Sequence, residues 1–82
     1  LRRTVWNKNE ARKKQAIENL TTREKEILKL VANGDSNAQI AKTLFIREIT
    51  VKTHLNNIYR KIGAINRVQA TILAINAGLN EI

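Results

Sequence analysis

The chain contains no cysteine, no proline and no methionine. Without cysteine there is neither a disulfide framework nor a thiolate metal site to reinforce a small core. No stretch alternates apolar and polar residues as a half-buried strand would, and the apolar positions recur at helical spacing instead. No apolar run approaches the roughly 20 residues that span a bilayer, and no signal-peptide pattern is present. A chain that opens on Leu1 and lacks methionine reads as a piece of a longer polypeptide, whose remainder would hold the controlling input. Catalytic groups are scarce too. His54 is the one histidine and Asp35 the one aspartate, and no serine or thiol stands near a base. The expectation is a cytoplasmic protein that is not an enzyme, needs no cofactor and binds no metal.

Positive charge is plentiful. Fifteen Lys and Arg face seven Asp and Glu, for a net charge of +8. Such an excess implies an anionic partner, with nucleic acid ahead of a membrane surface. The plainer alternative is a soluble domain that happens to be basic.

Eighty-two residues suggest one small domain. Residues 1–19 carry Arg2, Arg3, Lys8, Arg12, Lys13 and Lys14 but few apolar groups, so they read as a linker or as an entry helix over about residues 9–19. Trp6 is expected as a docking contact or as a remnant of a neighbouring domain. From Leu20 the punctuation is regular. Thr21 with Glu24, Ser36 with Gln39, and Asn66 with Gln69 each have the spacing of a capping box. Gly34, Gly63 and Gly78 supply helix stops. These signals predict four short helices between Thr22 and Ala77, an all-α bundle in which the second and third helices form a helix-turn-helix.

The stretch from Thr50 to Ile62 carries the functional argument. At roughly 100° per residue, Val51, Leu55, Ile58 and Ile62 fall within about a sixth of the helix circumference. Ile49, Lys52, Thr53, Asn56 and Arg60 form a separate stripe roughly 140° away. One side can dock on a core while the other stays presented to a partner, which in so basic a chain points to DNA. The last helix has two apolar sides. Ala70, Leu73, Ala74 and Ala77 can close the core, while Val68, Thr71, Ile72 and Ile75 lie on roughly the opposite face. A helix apolar on both sides usually buries both, so the second face is expected to pair two copies about a two-fold axis. The reading from another class is a protein-interaction module that docks a partner on this face and touches nucleic acid only nonspecifically.

Leu20-Thr21, Arg23-Glu24, Ile27-Leu28, Gly34, Ser36-Asn37, Ile40-Ala41 and Leu44 are followed in register by Thr50-Val51-Lys52-Thr53-His54, Ile58, Lys61-Ile62, Arg67, Ala70 and Gly78-Leu79. This series resembles the DNA-binding domain of the LuxR/NarL/FixJ family of bacterial transcription regulators, over about residues 20–80. The resemblance implies a four-helix bundle whose third helix enters the major groove, usually as the C-terminal output domain of the parent protein. The family joins it to receiver, acyl-homoserine-lactone-sensing or large nucleotide-binding modules; a receiver, and so a two-component response regulator, is the default expectation. The implied partners are double-stranded DNA, a second copy of the chain and, as a further candidate, RNA polymerase.

By the same resemblance Ile49, Lys52, Thr53 and Asn56 face the bases. Lys52 can donate to guanine O6 or N7 or fall back on a phosphate, and Asn56 can pair with adenine. Thr53 offers a hydroxyl and a methyl group. Ile49 suits a thymine methyl, or alternatively packs on the turn at Phe45. Asn37 and Thr50, near helix N-termini, are expected at phosphates, together with Lys42, Arg47, Arg60, Lys61 and Arg67; Arg67 could equally be a structural donor between helices. His54 reads as a satisfied structural histidine rather than a base reader. Two positions depart from the family: Arg47 stands where Ser or Thr often caps the recognition helix, and Ala38 where a basic residue is common. A missing cap costs about 1 kcal/mol, and Arg47 could recover some of that by binding a phosphate.

Overall fold

The computed structural model describes residues 8–79, with side chains from residue 12 onward. The expectation for Trp6 lies outside them. Five helices follow one another: α1 (Lys8–Glu18), α2 (Thr22–Ala32), α3 (Asn37–Leu44), α4 (Glu48–Ile62) and α5 (Arg67–Asn76), with no strand among the described residues. The fold is all-α, and the four helices expected after residue 20 are joined by the entry helix α1.

Local chemistry sets where each helix starts. Thr21 Oγ1 accepts from the Glu24 amide at 3.1 Å while Glu24 Oε1 accepts from the Thr21 amide at 3.0 Å. Ser36 and Gln39 repeat the exchange at 3.2 and 2.7 Å. Each box satisfies two donors that the helix start would otherwise leave open. The third box is only half made. Asn66 Oδ1 accepts from the Gln69 amide at 2.8 Å, but Gln69 Oε1 takes the Ile65 amide at 2.7 Å instead of that of Asn66. The extended Asn66 backbone (φ −159°) brings the preceding amide within reach of the longer side chain. At the other ends, Gly34 (φ 93°) and Gly63 (φ 73°) take the left-handed conformation that ends α2 and α4.

The core is built around α4, which contacts each of the other four helices. Its seam of Val51, Leu55, Ile58 and Ile62 is wholly buried, against Ile27, Leu28 and Val31 of α2, Ile40 and Ala41 of α3, and Ala70 and Ala74 of α5. Burying each such aliphatic side chain contributes about 1.5–3 kcal/mol, and Ile58→Ala would cost about 2–5 kcal/mol. From the other side α1 and the turn after it add Ile17 and Leu20, both buried, with Ala16 packed alongside. On α5 the expected core face is present in graded form: Ala70 and Ala74 are buried, Leu73 and Ala77 partly so. No described buried side-chain nitrogen or oxygen lacks a hydrogen bond.

Candidate nucleic-acid interface

With its seam buried, α4 turns the opposite stripe outward. Ile49, Lys52, Thr53, Asn56 and Arg60 are all exposed. Ile49 is 61% exposed and Phe45 94%, so Ile49 does not bury itself on the turn at Phe45. The Thr53 hydroxyl donates back to the Ile49 carbonyl at 3.0 Å, which fixes its rotamer and leaves its oxygen free to accept.

The first turn of α4 meets the start of α3. Asn37, Glu48, Ile49 and Lys52 line one open cleft there. Arg47 occupies the N-cap with extended backbone and makes no side-chain capping bond. Its carbonyl accepts from the amides of Thr50 at 3.0 Å and Val51 at 3.1 Å, while the Glu48 and Ile49 amides, ahead of any intrahelical acceptor, remain available to an anion. Thr50 itself is half-buried.

Apart from Thr50, the residues expected at phosphates fall into two groups of three. Lys42, Arg47 and Arg60 are exposed cations, as is Lys52 from the base-facing set, and none has an ion-pair partner among the described residues. Arg67, Asn37 and Lys61 are engaged within the protein. Arg67 Nη1 donates to Asn37 Oδ1 at 2.7 Å and Nη2 to the Asp35 carbonyl, so α5 is tied to the N-terminus of α3. Lys61 Nζ donates to both oxygens of Glu24, at 3.0 and 2.8 Å. The buried Glu24 carboxyl lies below its ordinary value, first because Lys61 bonds its ionised form and then because the Thr21 amide does, with burial opposing both. This pairing had no local sequence signal, since 37 residues separate its members. His54 is half-buried on the flank of α4 and no described group hydrogen-bonds to its ring, so the expected protein partner is missing.

A second surface lies on α5. Val68, Ile72 and Ile75 are 68%, 51% and 45% exposed. Thr71 is half-buried, and its hydroxyl donates to the Arg67 carbonyl at 2.9 Å. Ile65, in the loop before the helix, is 82% exposed.

Residues 18–74 match the family model of the bacterial regulatory proteins of the luxR family. The chain belongs to this family. It is 46% identical over 67 residues to the uncharacterized transcriptional regulatory protein YhcZ of Bacillus subtilis, a match covering 82% of this chain and 31% of that protein. With the CsgBAC operon transcriptional regulatory protein of Escherichia coli it shares 59% identity over 51 residues, 62% of this chain and 24% of that one. A nitrate/nitrite response regulator protein homolog of Haemophilus influenzae is 49% identical over 57 residues, 70% of this chain and 27% of that protein. The chain thus spans under a third of the length of each of these relatives. Membership of the luxR family identifies a helix-turn-helix domain of a transcription regulator, implies DNA binding and agrees with the reading that the chain is not an enzyme. No described helix is long and apolar enough to cross a membrane.

Proposed function

We propose that this luxR-family domain binds double-stranded DNA sequence-specifically as the output domain of a bacterial response regulator. In this reading α4 lies in the major groove, and two copies pair through α5 on an inverted repeat. The observation that carries it is the division of α4: one face wholly buried, the other presenting Ile49, Lys52, Thr53, Asn56 and Arg60 beside cations that have no ion-pair partner among the described residues. Ile49, Lys52, Thr53 and Asn56 read base edges, while Lys42, Arg47, Arg60, the half-buried Thr50 and the open amides at the start of α4 hold phosphates. Asn37, Lys61 and Arg67 can add phosphate contacts only by sharing or exchanging the bonds they already make.

The strip of Val68, Ile72 and Ile75, with Thr71 beside it, supports two-fold pairing through α5. A response-regulator parent is supported by the relative that bears that description, and a regulator of this kind would act in the cytoplasm with RNA polymerase as a further partner. Selection of sites from a random duplex pool, at near-physiological salt, tests the whole reading. The expected result is an enriched inverted repeat with half-sites about 10 bp apart centre to centre. Equal, weak, salt-sensitive affinity for every sequence would instead favour the protein-interaction module.

A further inference from the structure

Six large hydrophobic residues are exposed among the described ones. Three of them, Val68, Ile72 and Ile75, lie on α5, and a fourth, Ile65, lies in the loop before it. The other two are Phe45 and Ile49, on the turn between α3 and α4 and on the first turn of α4.

Phe45 carries two costs for which folding gives no return. Its backbone is left-handed, at φ 58° and ψ 43°. It is the single non-glycine residue with positive φ among those described, the other three such positions being glycines. A side chain in that region is strained, because its Cβ crowds the following carbonyl oxygen. Yet the ring is 94% exposed and packs on almost nothing. Glycine or asparagine would make the same turn with less strain. A strained residue that the fold does not use points to a function.

Its place in the fold indicates which. Phe45 is the C-cap of α3, and two residues later Arg47 is the N-cap of α4. Consecutive Cα atoms are about 3.8 Å apart, so the Phe45 Cα lies within about 8 Å of that of Arg47. In the proposed docking the first turn of α4 enters a groove about 12 Å wide. In that docking a ring this close to the N-cap is within reach of the strand that walls the groove. Lys42 and Arg47, three residues before it and two after, are exposed cations without ion-pair partners among the described residues. A strand whose phosphates they held would lay its deoxyribose carbons on the ring between them.

We propose that Phe45 is a DNA-contacting residue whose ring packs on backbone deoxyribose between phosphates held by Lys42 and Arg47. The proposal rests on the DNA-binding reading above. It deepens that reading by adding an apolar, sequence-independent contact, which contributes affinity without choosing bases.

Phe45→Gly and Phe45→Asn relieve the backbone, so both should melt no lower than the parent, and lost binding could not be traced to unfolding. Each would be titrated against a fluorescent duplex carrying the selected repeat, and against a scrambled one, over a range of salt concentrations. Both variants should bind both duplexes several-fold more weakly, with an unchanged slope of log K against log salt, because a ring contact releases no counterion. Lys42→Ala and Arg47→Ala should instead make that slope shallower. Parental affinity in Phe45→Gly overturns the proposal. So does unchanged binding joined to lost transcription in a reconstituted reaction, which would assign the ring to a protein partner. A lower melting temperature in both variants would show that the ring supports the fold and would remove the premise. Failure of the unsubstituted domain to bind any duplex defeats the DNA-binding reading itself, and is told apart by appearing without a substitution.

Discussion

Lys61 Nζ, on the last turn of α4, lies 3.0 and 2.8 Å from the two carboxylate oxygens of Glu24, on the first turn of α2. Glu24 also closes the capping box with Thr21. One buried carboxylate thus starts α2 and fastens the far end of the helix that presents the polar stripe. Val51, Leu55, Ile58 and Ile62 hold α4 by packing alone, which resists separation better than it resists sliding. The ion pair adds a directional restraint on its position.

That restraint should titrate. The Glu24 carboxyl is depressed in the folded state, so its contribution is present above its ordinary value of 4.5 and is lost as pH falls through the folded value. Glu24→Gln keeps an acceptor for the Thr21 amide but removes the charge. It should cost about 1–3 kcal/mol at neutral pH. Thermal melts from pH 7 to pH 3 should show the gap between parent and variant closing on the acid side. A gap constant with pH would deny the pair its role.

Arg67 is expected to matter first for the fold. Arg67→Ala leaves Asn37 Oδ1 and the Asp35 carbonyl without their donor, and should destabilise the domain by about 1.5–3 kcal/mol, as lost charge-assisted bonds do. Urea unfolding measures this directly. Little change in stability, joined to a clear loss of DNA affinity, would move Arg67 into the phosphate-binding set.

Lys52→Ala and Asn56→Ala should each lose about 1–3 kcal/mol of discrimination between the selected site and its single-base variants. Both side chains are exposed and neither touches the core, so melting temperatures should hardly move. Competition titrations with the two duplex types decide the matter; parallel losses on specific and scrambled DNA would reduce both residues to phosphate contacts.

Ile72→Asp places a charge in the middle of the α5 strip without touching Ala70 or Ala74 beneath. Sedimentation should show weaker pairing, and cooperative binding to the full repeat should fall while half-site affinity survives. Unaltered cooperativity would locate the pairing surface elsewhere.

Arg47→Thr sets stability against binding. A threonine N-cap on α4 should add about 1 kcal/mol, read as a higher melting temperature. If Arg47 holds a phosphate, the same change should reduce the salt slope of DNA binding by about one. A rise in stability with no change in slope would leave Arg47 as nothing more than a missing cap.

Much of this architecture was legible because its causes are local. The Thr21–Glu24 and Ser36–Gln39 boxes close within one turn, and the seam from Val51 to Ile62 repeats at helical spacing. The third box misled because Gln69 can reach two neighbouring amides, and the loop geometry at Asn66, which no spacing reveals, selects that of Ile65. Ile17 and Leu20 make too narrow a stripe to mark α1 as part of the core; the surfaces they fill come from distant segments. The Glu24–Lys61 pair joins neighbouring helices, and its members lie 37 residues apart in the sequence. Phe45 and Ile49, four apart, look like partners in the sequence, yet the left-handed backbone at Phe45 breaks the helix between them.

The burial of Ile17 and Leu20 also bears on how such a domain can be recombined. The recognisable pattern begins near residue 20, and a graft cut there would carry the polar stripe and the α5 strip intact. It would also leave behind Ile17 and expose apolar surface on α4 and α5 that α1 normally covers. The unit that can be transplanted whole therefore starts at α1, and a chimaera with another regulator should be joined upstream of Lys8.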